Sequence, residues 1–340
     1  FIMSGCPATS LITSAYQQRL THKWSPKVAL RQIVKNHLPG GMMGHGCEDG
    51  FKFYVQNGYC PDKAGLTIQW AFEDYALSQM AEGMGRMSIA SQFAARSHGW
   101  VKSFDKKTGL VLPLRADGTW LHNDPLNGWG YEEANAWQAT FGLSHDLLRL
   151  AELMGGSDVL CNKLNFAFMK GAASDFGSGY GSGYVNYSNQ PALSNAHVFG
   201  HVGQPWLSQY WVRRVAEQAY GGTTPDLGYG GYDEDQGQMG AVSALMSMGL
   251  FAVDGLSSRH PTLDITSPLF DEVVVHLNPA YYKGGTFRIV THNNNLQNCY
   301  IQRMILNGKP HTTCSLLHQT FVDGGQLDVW LGNQPNKKLK

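Results

Sequence analysis

Through the first 250 residues the apolar positions recur at helical spacing. In "AGLTIQWAFEDYALSQMAEGMG", from Ala64, the residues Leu66, Trp70, Tyr75, Leu77 and Met80 recur at mixed three- and four-residue spacing, and Gly83 and Gly85 end the run. Ser25-Pro26 supplies an N-cap followed by proline at the first helical position, ahead of "KVALRQIVKNHLPGG", which Pro-Gly-Gly stops. A long loop rich in Gly, Met and His is expected next. "RMSIASQFAARSHGWVKSF" reads as a second long helix, and residues 132–154, 157–171, 194–220 and 236–252 as further ones. Helix after helix joined by long Gly/Trp loops predicts a mainly α architecture, a toroid of paired helices. After "FAVDG" the period changes to two: "SPLFDEVVVHL", "GTFRIVTHN", "CYIQRMILNGK" and "GQLDVWLGN" alternate as antiparallel strands do, with Asn-Gly and Gly-Gly turns. The expected division is a helical part over 1–257 and a small antiparallel β-rich segment over 258–340.

Composition narrows the partners. With 26 basic and 26 acidic side chains in 340 residues, the chain lacks the positive footprint of a nucleic-acid binder. No apolar run reaches the roughly 18 residues of a membrane span. Abundant aromatics and 40 glycines suit clefts lined by rings and closed by loops, although packing also uses rings. The six cysteines have no zinc-finger spacing; Cys47 and Cys60 either bridge a short loop in an oxidising compartment or remain buried thiols. His197 and His201 stand four apart, but no Glu completes a zinc motif.

Against this low charge, "GGYDEDQGQMG" is an anomaly. Asp235 at a helix start would cap exposed N–H groups, and neighbouring acids favour the helix dipole. That explains one acid better than three. Asp233 and Asp235, two apart on an extended segment, project to one side and could together hold and deprotonate a water. A partner acid is available in "GWGYEEANAWQATF", where Glu133 follows Trp129 and Tyr131 and precedes Trp137. Rings packed on a carboxyl desolvate it and help it keep a proton. One protonated and one ionised carboxyl are the tools of glycoside hydrolysis.

The blocks "YEEANAWQATFGLSHD", "SNQPALSNAHVFGHVGQPW", "YDEDQGQMGAVSALMSMGLFAVDG", "SPLFDEVVVHL" and "NCYIQRMILNGK" occur in the order seen in family-92 glycoside hydrolases. The chain resembles that family from "NGYCPDK" to "LGNQPN". The resemblance implies an (α/α)6 barrel with a β-rich segment beside it, and a calcium-dependent, inverting, exo-acting α-mannosidase that acts on mannose-containing glycans. It implies Glu133 as general acid, with Ala134 where the family motif has Gly, and Asp233 and Asp235 as the pair that activates water, Asp235 being the base. Calcium would bind the sugar's O2 and O3. Asn189 and Gln190 fall in the sugar-binding segment, where Asn189, Gln190 and Asn195 offer neutral oxygens without fixing the metal ligands. Where family members cleaving α-1,2 linkages have His-Glu before the proline, this chain has Asn189-Gln190-Pro191. The family's N-terminal β-sandwich and early Trp-Asp motif have no counterpart here, so the chain is expected to be the C-terminal part of a longer enzyme, secreted or periplasmic, whose signal peptide lies elsewhere. The rival expectations are a non-catalytic carbohydrate-binding or inactive form of such an enzyme, and a barrel glycosidase acting on another sugar.

Overall fold

The computed structural model describes residues 5–224 and 237–339, which fall into two compact units. Unit 1 comprises Phe1–Gly156, Gly179–Tyr184 and Asp254–Arg259. Its helices are α1 (Ala8–Gln17), α2 (Pro26–Asn36), α3 (Glu48–Asn57), α4 (Ala64–Gly83) and α5 (Met87–Ser97), followed by the two-residue strands β1 (Phe104–Asp105) and β2 (Leu110–Val111), α6 (Ala136–Ala139) and α7 (Leu147–Met154). The central element is α4, whose Leu66, Trp70, Leu77 and Met80 are buried as their spacing requires. Leu30 and Ile33 of α2 and Ala90 and Phe93 of α5 pack with Leu77 and Met80. Ser25 caps α2 by accepting the Val28 N–H at 3.4 Å.

The expected Gly/Met/His-rich loop contains a helix. The propensity of "EDGFKFYVQN" is poor, with Gly, two Phe, Tyr and Val in ten residues, so tertiary packing decides. Phe51 and Tyr54, one turn apart on α3, set their rings 5.1 and 5.2 Å from Trp70. Glu48 and Asp49 sit at the positive end of the helix dipole, and Gly58, at φ 82°, ends it.

Between these helices lies a buried polar knot. The Asp74 carboxylate of α4 has no exposed side-chain surface and accepts from Arg96 Nε (2.5 Å), a second Arg96 nitrogen (2.6 Å), Tyr54 OH (2.7 Å) and His37 Nδ1 (2.8 Å). Thr9 Oγ1 of α1 is 2.8 Å from the other nitrogen of His37. Burial alone would raise the Asp74 pKa, but hydrogen bonds from Arg96 and His37 hold it below the ordinary value. Glu73, next along α4, has no cation on it. Its carboxyl accepts the Cys6 N–H at 2.8 Å and meets Gln69 Nε2 at 3.0 Å, and burial pushes its pKa up to about 8.

Unit 2 comprises Ser157–Ser178, Val185–Val253 and His260–Lys340. It holds α8 (Ser157–Ala172), α9 (Val198–His201), α10 (Pro205–Gln218) and α11 (Gln238–Met248). The helix expected over 194–220 is broken, because Gly203 takes φ 90° and Pro205 starts a new helix. Phe168 gathers the helical core, with Trp211 at 5.2 Å, Phe199 at 5.8 Å and Phe176 at 6.0 Å.

The strands are β3 (Leu250–Phe251), β4 (Thr262–Ile265), β5 (Glu272–His276), β6 (Thr286–His292), β7 (Tyr300–Leu306), β8 (Lys309–His311), β9 (Ser315–Leu317) and β10 (Gly325–Gly332), with α12 (His318–Val322) before the last. They form a three-stranded sheet, β3-β4-β9, and a five-stranded sheet, β5-β6-β10-β7-β8. One pair departs from the antiparallel expectation: β10 runs parallel to β6, because the chain returns from β7, β8, β9 and α12 to fill the gap between β6 and β7. Phe287, Ile289, Leu327, Val329 and Leu331 alternate onto the buried face. The sheets belong to the same compact unit as α8–α11: Gln209 of α10 accepts the Ile301 N–H of β7 at 2.9 Å, and Arg213 of α10 donates to Ser267 Oγ at 3.0 Å.

The single helix expected over 132–154 resolves into α6 and α7. Glu133 sits at φ 51°, in the left-handed region, and Asn135 is the N-cap that starts α6.

Both Glu73 and Glu133 are open to measurement by urea unfolding. Glu73 keeps a proton in the fold that the unfolded chain releases above about 4.5, so its contribution is fully present below that pH and is lost as pH rises towards about 8. Unfolding free energies from urea titrations should fall less between pH 5 and 8.5 in Glu73→Gln than in the parent, by on the order of 4 kcal/mol. An identical decline would mean that Glu73 is ionised throughout. At Glu133, two variants that both lack the carboxyl isolate the backbone: Glu133→Gly should be more stable than Glu133→Ala by about 1 kcal/mol, because only glycine takes a positive φ without strain. Equal urea midpoints would show that the turn is unstrained.

Candidate active site

The segment before Glu133 is fixed at several points. His122 Nε2 lies 2.8 Å from the Trp129 carbonyl, and Asn127 Oδ1 accepts the Trp129 N–H at 2.9 Å. Gly130, at φ 91°, runs so close to the turn before α4 and to Pro113 that a Cβ there would lie 2.7 Å from the Asp62 carbonyl and 2.8 Å from the Pro113 ring. Its own carbonyl accepts the N–H of Gly65, at the start of α4, at 2.9 Å. Tyr131 is buried and donates its hydroxyl to the Val111 carbonyl at 2.6 Å.

After Glu133 the backbone is held from the other side. The Glu133 carbonyl accepts the Gly181 N–H at 3.1 Å. Asn135, fully buried, uses both ends of its amide: Oδ1 accepts the N–H groups of Trp137 (2.9 Å) and Gln138 (3.3 Å), while Nδ2 donates to the carbonyls of Gly181 (3.0 Å) and Gly183 (2.9 Å). Gln138 Nε2 adds a 2.5 Å bond to the Ser182 carbonyl. The motif "EANAWQ" thus carries a carboxylate on a strained turn, then a cap and a clamp that keep the strain from relaxing. Sequence reasoning singled out Glu133 and passed over Asn135 and Gln138. Their signal was an N-cap residue three before an amide, the spacing of a capping box.

The rings around Glu133 do different jobs. Tyr131 turns into the core, Trp137 packs edge-on against Tyr184 at 5.1 Å, and Trp129 is 76% exposed. Burial raises the pKa of the Glu132 carboxyl, with Lys63 Nζ 3.9 Å away as a counteracting charge. Trp129 and Tyr180, both exposed, line an open cleft of about 610 Å³ with Leu126, Asn127, Gly128, Gly130, Tyr131, Gly181 and Ser182. The exposed rings of Trp129 and Tyr180 provide apolar faces of the kind on which a sugar ring can pack.

Asn189 and Gln190 belong to unit 2. Asn189 is buried in extended backbone ahead of the short 3-10 turn Gln190–Ala192, and Asn195 is fully buried just beyond it. Asp233 and Asp235 lie outside the described residues, and the N-cap position of α11 belongs to Gly237, at φ 93°. No group of three or more His, Cys, Asp or Glu that could hold a metal ion occurs among the described residues. His197 is stacked on Phe251 at 4.0 Å and burial lowers its pKa to about 3, whereas His201 pairs with Asp264 at 2.8 Å. His145 reaches the Ser97 carbonyl at 3.1 Å, and Asp146 accepts from His98 and Trp100 at 2.7 and 2.9 Å, which is structural bonding. Among the described residues, no helix is long and apolar enough to cross a membrane.

Comparison with known proteins bears on the family and the fold. An inverting family-92 mannosidase of Bacteroides thetaiotaomicron superposes with a TM-score of 0.85 at 25% identity, over 99% of this chain and 47% of its own. An α-mannosidase of the same family and species superposes with a TM-score of 0.87 at 20% identity, over 100% of this chain and 43% of its own. These matches show the fold: mainly helical, of the (α/α)6-toroid class, with a β-rich C-terminal segment. A curated relative described as an uncharacterized secreted glycosidase, from Arthroderma benhamiae, is 25% identical over 98% of this chain and 46% of its own length. The chain therefore spans about half the length of the relatives it matches. The profile of the glycosyl hydrolase family 92 catalytic domain matches residues 1–333, and the chain belongs to that family.

Proposed function

We propose that the protein is a glycosidase that removes terminal α-linked mannose from glycans with inversion at the anomeric carbon. The observation that carries this reading is the Glu133 turn, whose left-handed backbone is bonded to Gly181, a residue lining the cleft with two exposed rings, while Glu133 itself is not among the lining residues. Glu133 donates its proton to the glycosidic oxygen as that bond breaks. Asp233 and Asp235 together hold and deprotonate the water that attacks from the opposite face, with Asp235 as base. Trp129 and Tyr180 offer ring faces to the leaving sugar. Asn189 and Gln190 contribute to the mannose-binding segment. Support comes from family membership, from the ordered sequence blocks and from the mannosidases that share the fold. The relative described as a secreted glycosidase supports a secreted or periplasmic location.

Calcium fits the neutral oxygen chemistry of the same segment. The buried side-chain amides of Asn189 and Asn195, with Gln190 between them, are hard oxygen donors of the type that this cation selects. When bound, calcium would take the O2 and O3 hydroxyls of mannose and favour a flattened ring. The role of Asn189, Gln190 and Asn195 is to hold and orient those oxygens.

The test separates acid from base in the full-length gene product. Glu133→Gln should lower kcat/KM on an alkyl α-mannoside by roughly 10²–10⁴-fold, yet stay within about tenfold of the parent on an α-mannosyl fluoride or dinitrophenyl mannoside, whose leaving groups depart without a proton. Asp235→Asn should lose activity on both. Exhaustive chelation should abolish turnover, and added calcium should restore it. Equal losses on both substrate types for Glu133→Gln would remove Glu133 from the role of acid.

A further inference from the structure

Cys47 and Cys60 stand at the two ends of α3. Cys47 is the N-cap residue, and Cys60 comes after the helix, beyond Gly58 and Tyr59. Their sulfurs are 3.8 Å apart, in van der Waals contact, with Cys47 partly exposed and Cys60 buried. Gly50, in the first turn of α3, explains how both fit: a Cβ there would lie 2.6 Å from the Cys47 sulfur and 2.9 Å from the Cys60 sulfur. Glycine is a poor helix residue, and here the space it leaves is taken by the two sulfurs.

The turn beyond Cys60 reaches the active-site loop. The Cys60 N–H donates to Thr67 Oγ1 at 2.9 Å, and its carbonyl accepts the Lys63 N–H at 3.3 Å across a turn in which Asp62 is forced to φ 61°. The Asp62 carbonyl abuts Gly130, and Lys63 lies 3.9 Å from Glu132. Through this turn the position of Cys60 bears on the segment that ends in Glu133.

We propose that Cys47 and Cys60 are a redox pair that closes to a disulfide across α3 and so braces the turn that holds the Gly130–Glu133 segment. Cys47 is the attacking sulfur. It is the exposed member, it sits at a helix N-terminus, and the adjacent Cys60 thiol, aided by Lys63 and the Gly50 N–H, lowers its pKa to about 7 against the opposing effect of burial. Its thiolate attacks a small-molecule disulfide such as oxidised glutathione, and the departing thiolate takes the proton that Cys47 released. Cys60 then gives its proton to solvent and attacks the Cys47 sulfur, expelling a second thiol. Two protein electrons reduce one external disulfide to two thiols.

The full chain is equilibrated with oxidised or reduced glutathione, quenched in acid, unfolded, alkylated and cut with trypsin. Cleavage after the exposed Lys52 separates the two cysteines, so the disulfide appears as two peptides of one combined mass that part on reduction. The oxidised sample should show that pair, with the other four cysteines alkylated, and its Tm should exceed that of the reduced sample by about 5 °C. Cys47→Ser should abolish the rise, and Gly50→Ala, which wedges a methyl between the sulfurs, should slow closure at least about tenfold. Amide exchange over 128–133 should be slower in the oxidised form. Six free thiols under full oxidation, or a link from Cys60 to Cys6, would overturn the pairing. A 47–60 link that leaves amide exchange over 128–133 unchanged would overturn the brace.

Discussion

The Asp74 carboxylate is the constraint on which unit 1 is built. A charge with no exposed surface is stable only if its environment supplies the hydrogen bonds that water would have given, and here Arg96, His37 and Tyr54 supply them. Those donors come from α5, from the residue that ends α2 and from α3, and Thr9 of α1 joins through His37. Moving any of these helices by a turn would strand a charge, and breaking such a pair costs about 3–5 kcal/mol. Arg96 also lies over the faces of Phe93 and Tyr54, at 4.8 and 5.4 Å from their centroids, so the same cation ties the polar knot to the aromatic core. The position of α4 is set by this knot at its middle, and its first turn in turn receives the Gly130 carbonyl.

That chain of positioning ends at Glu133. A left-handed non-glycine residue persists only when its surroundings over-determine it. Gly130 against Asp62 and Pro113 fixes the approach, and Asn135 and Gln138, bonded to the carbonyls of 181–183, fix the exit. A carboxylate on an ordinary helix would sweep through several rotamers above a mobile surface. One on a doubly anchored turn has its direction set by the backbone.

The sequence disclosed elements whose pattern is their cause. Leu66, Trp70, Leu77 and Met80 mark α4 because apolar side chains at helical spacing are buried there, although α4 is buried on most of its circumference, and Ser25-Pro26 marks the start of α2 because a cap and a fixed φ make it. The alternation of Phe287 and Ile289, and of Leu327, Val329 and Leu331, likewise disclosed β6 and β10. Hidden were features created by distant contacts. The helix α3 exists because Phe51 and Tyr54 meet Trp70, which no local propensity announces. Glu133 was legible as a carboxylate among rings and through family resemblance. Its break with the helix pattern of 132–154 was not, because a helix-compatible string "YEEANAWQATF" is overruled by Asn135 and the backbone of 181–183. Nor could adjacency tell that Tyr131 faces the core while Trp129 faces solvent.

The order of the five-stranded sheet also matters while the protein is being made. β10 is its middle strand, with β6 on one side and β7 on the other, yet it is the last of the five to leave the ribosome. Until residue 332 has emerged, β6 and β7 each lack a neighbour on one edge, with Phe287, Ile289, Ile301 and Met304, all buried in the finished sheet, still uncovered by β10. Local hairpins between β5 and β6 and between β7 and β8 can form early, but they cannot join into one sheet without β10. Nascent chains therefore pass through a stage with two sticky half-sheets, and slow translation through 293–325 lengthens that stage. Synthesis speed over those codons, and a chaperone that covers apolar strand edges, thus bear on the yield of folded protein.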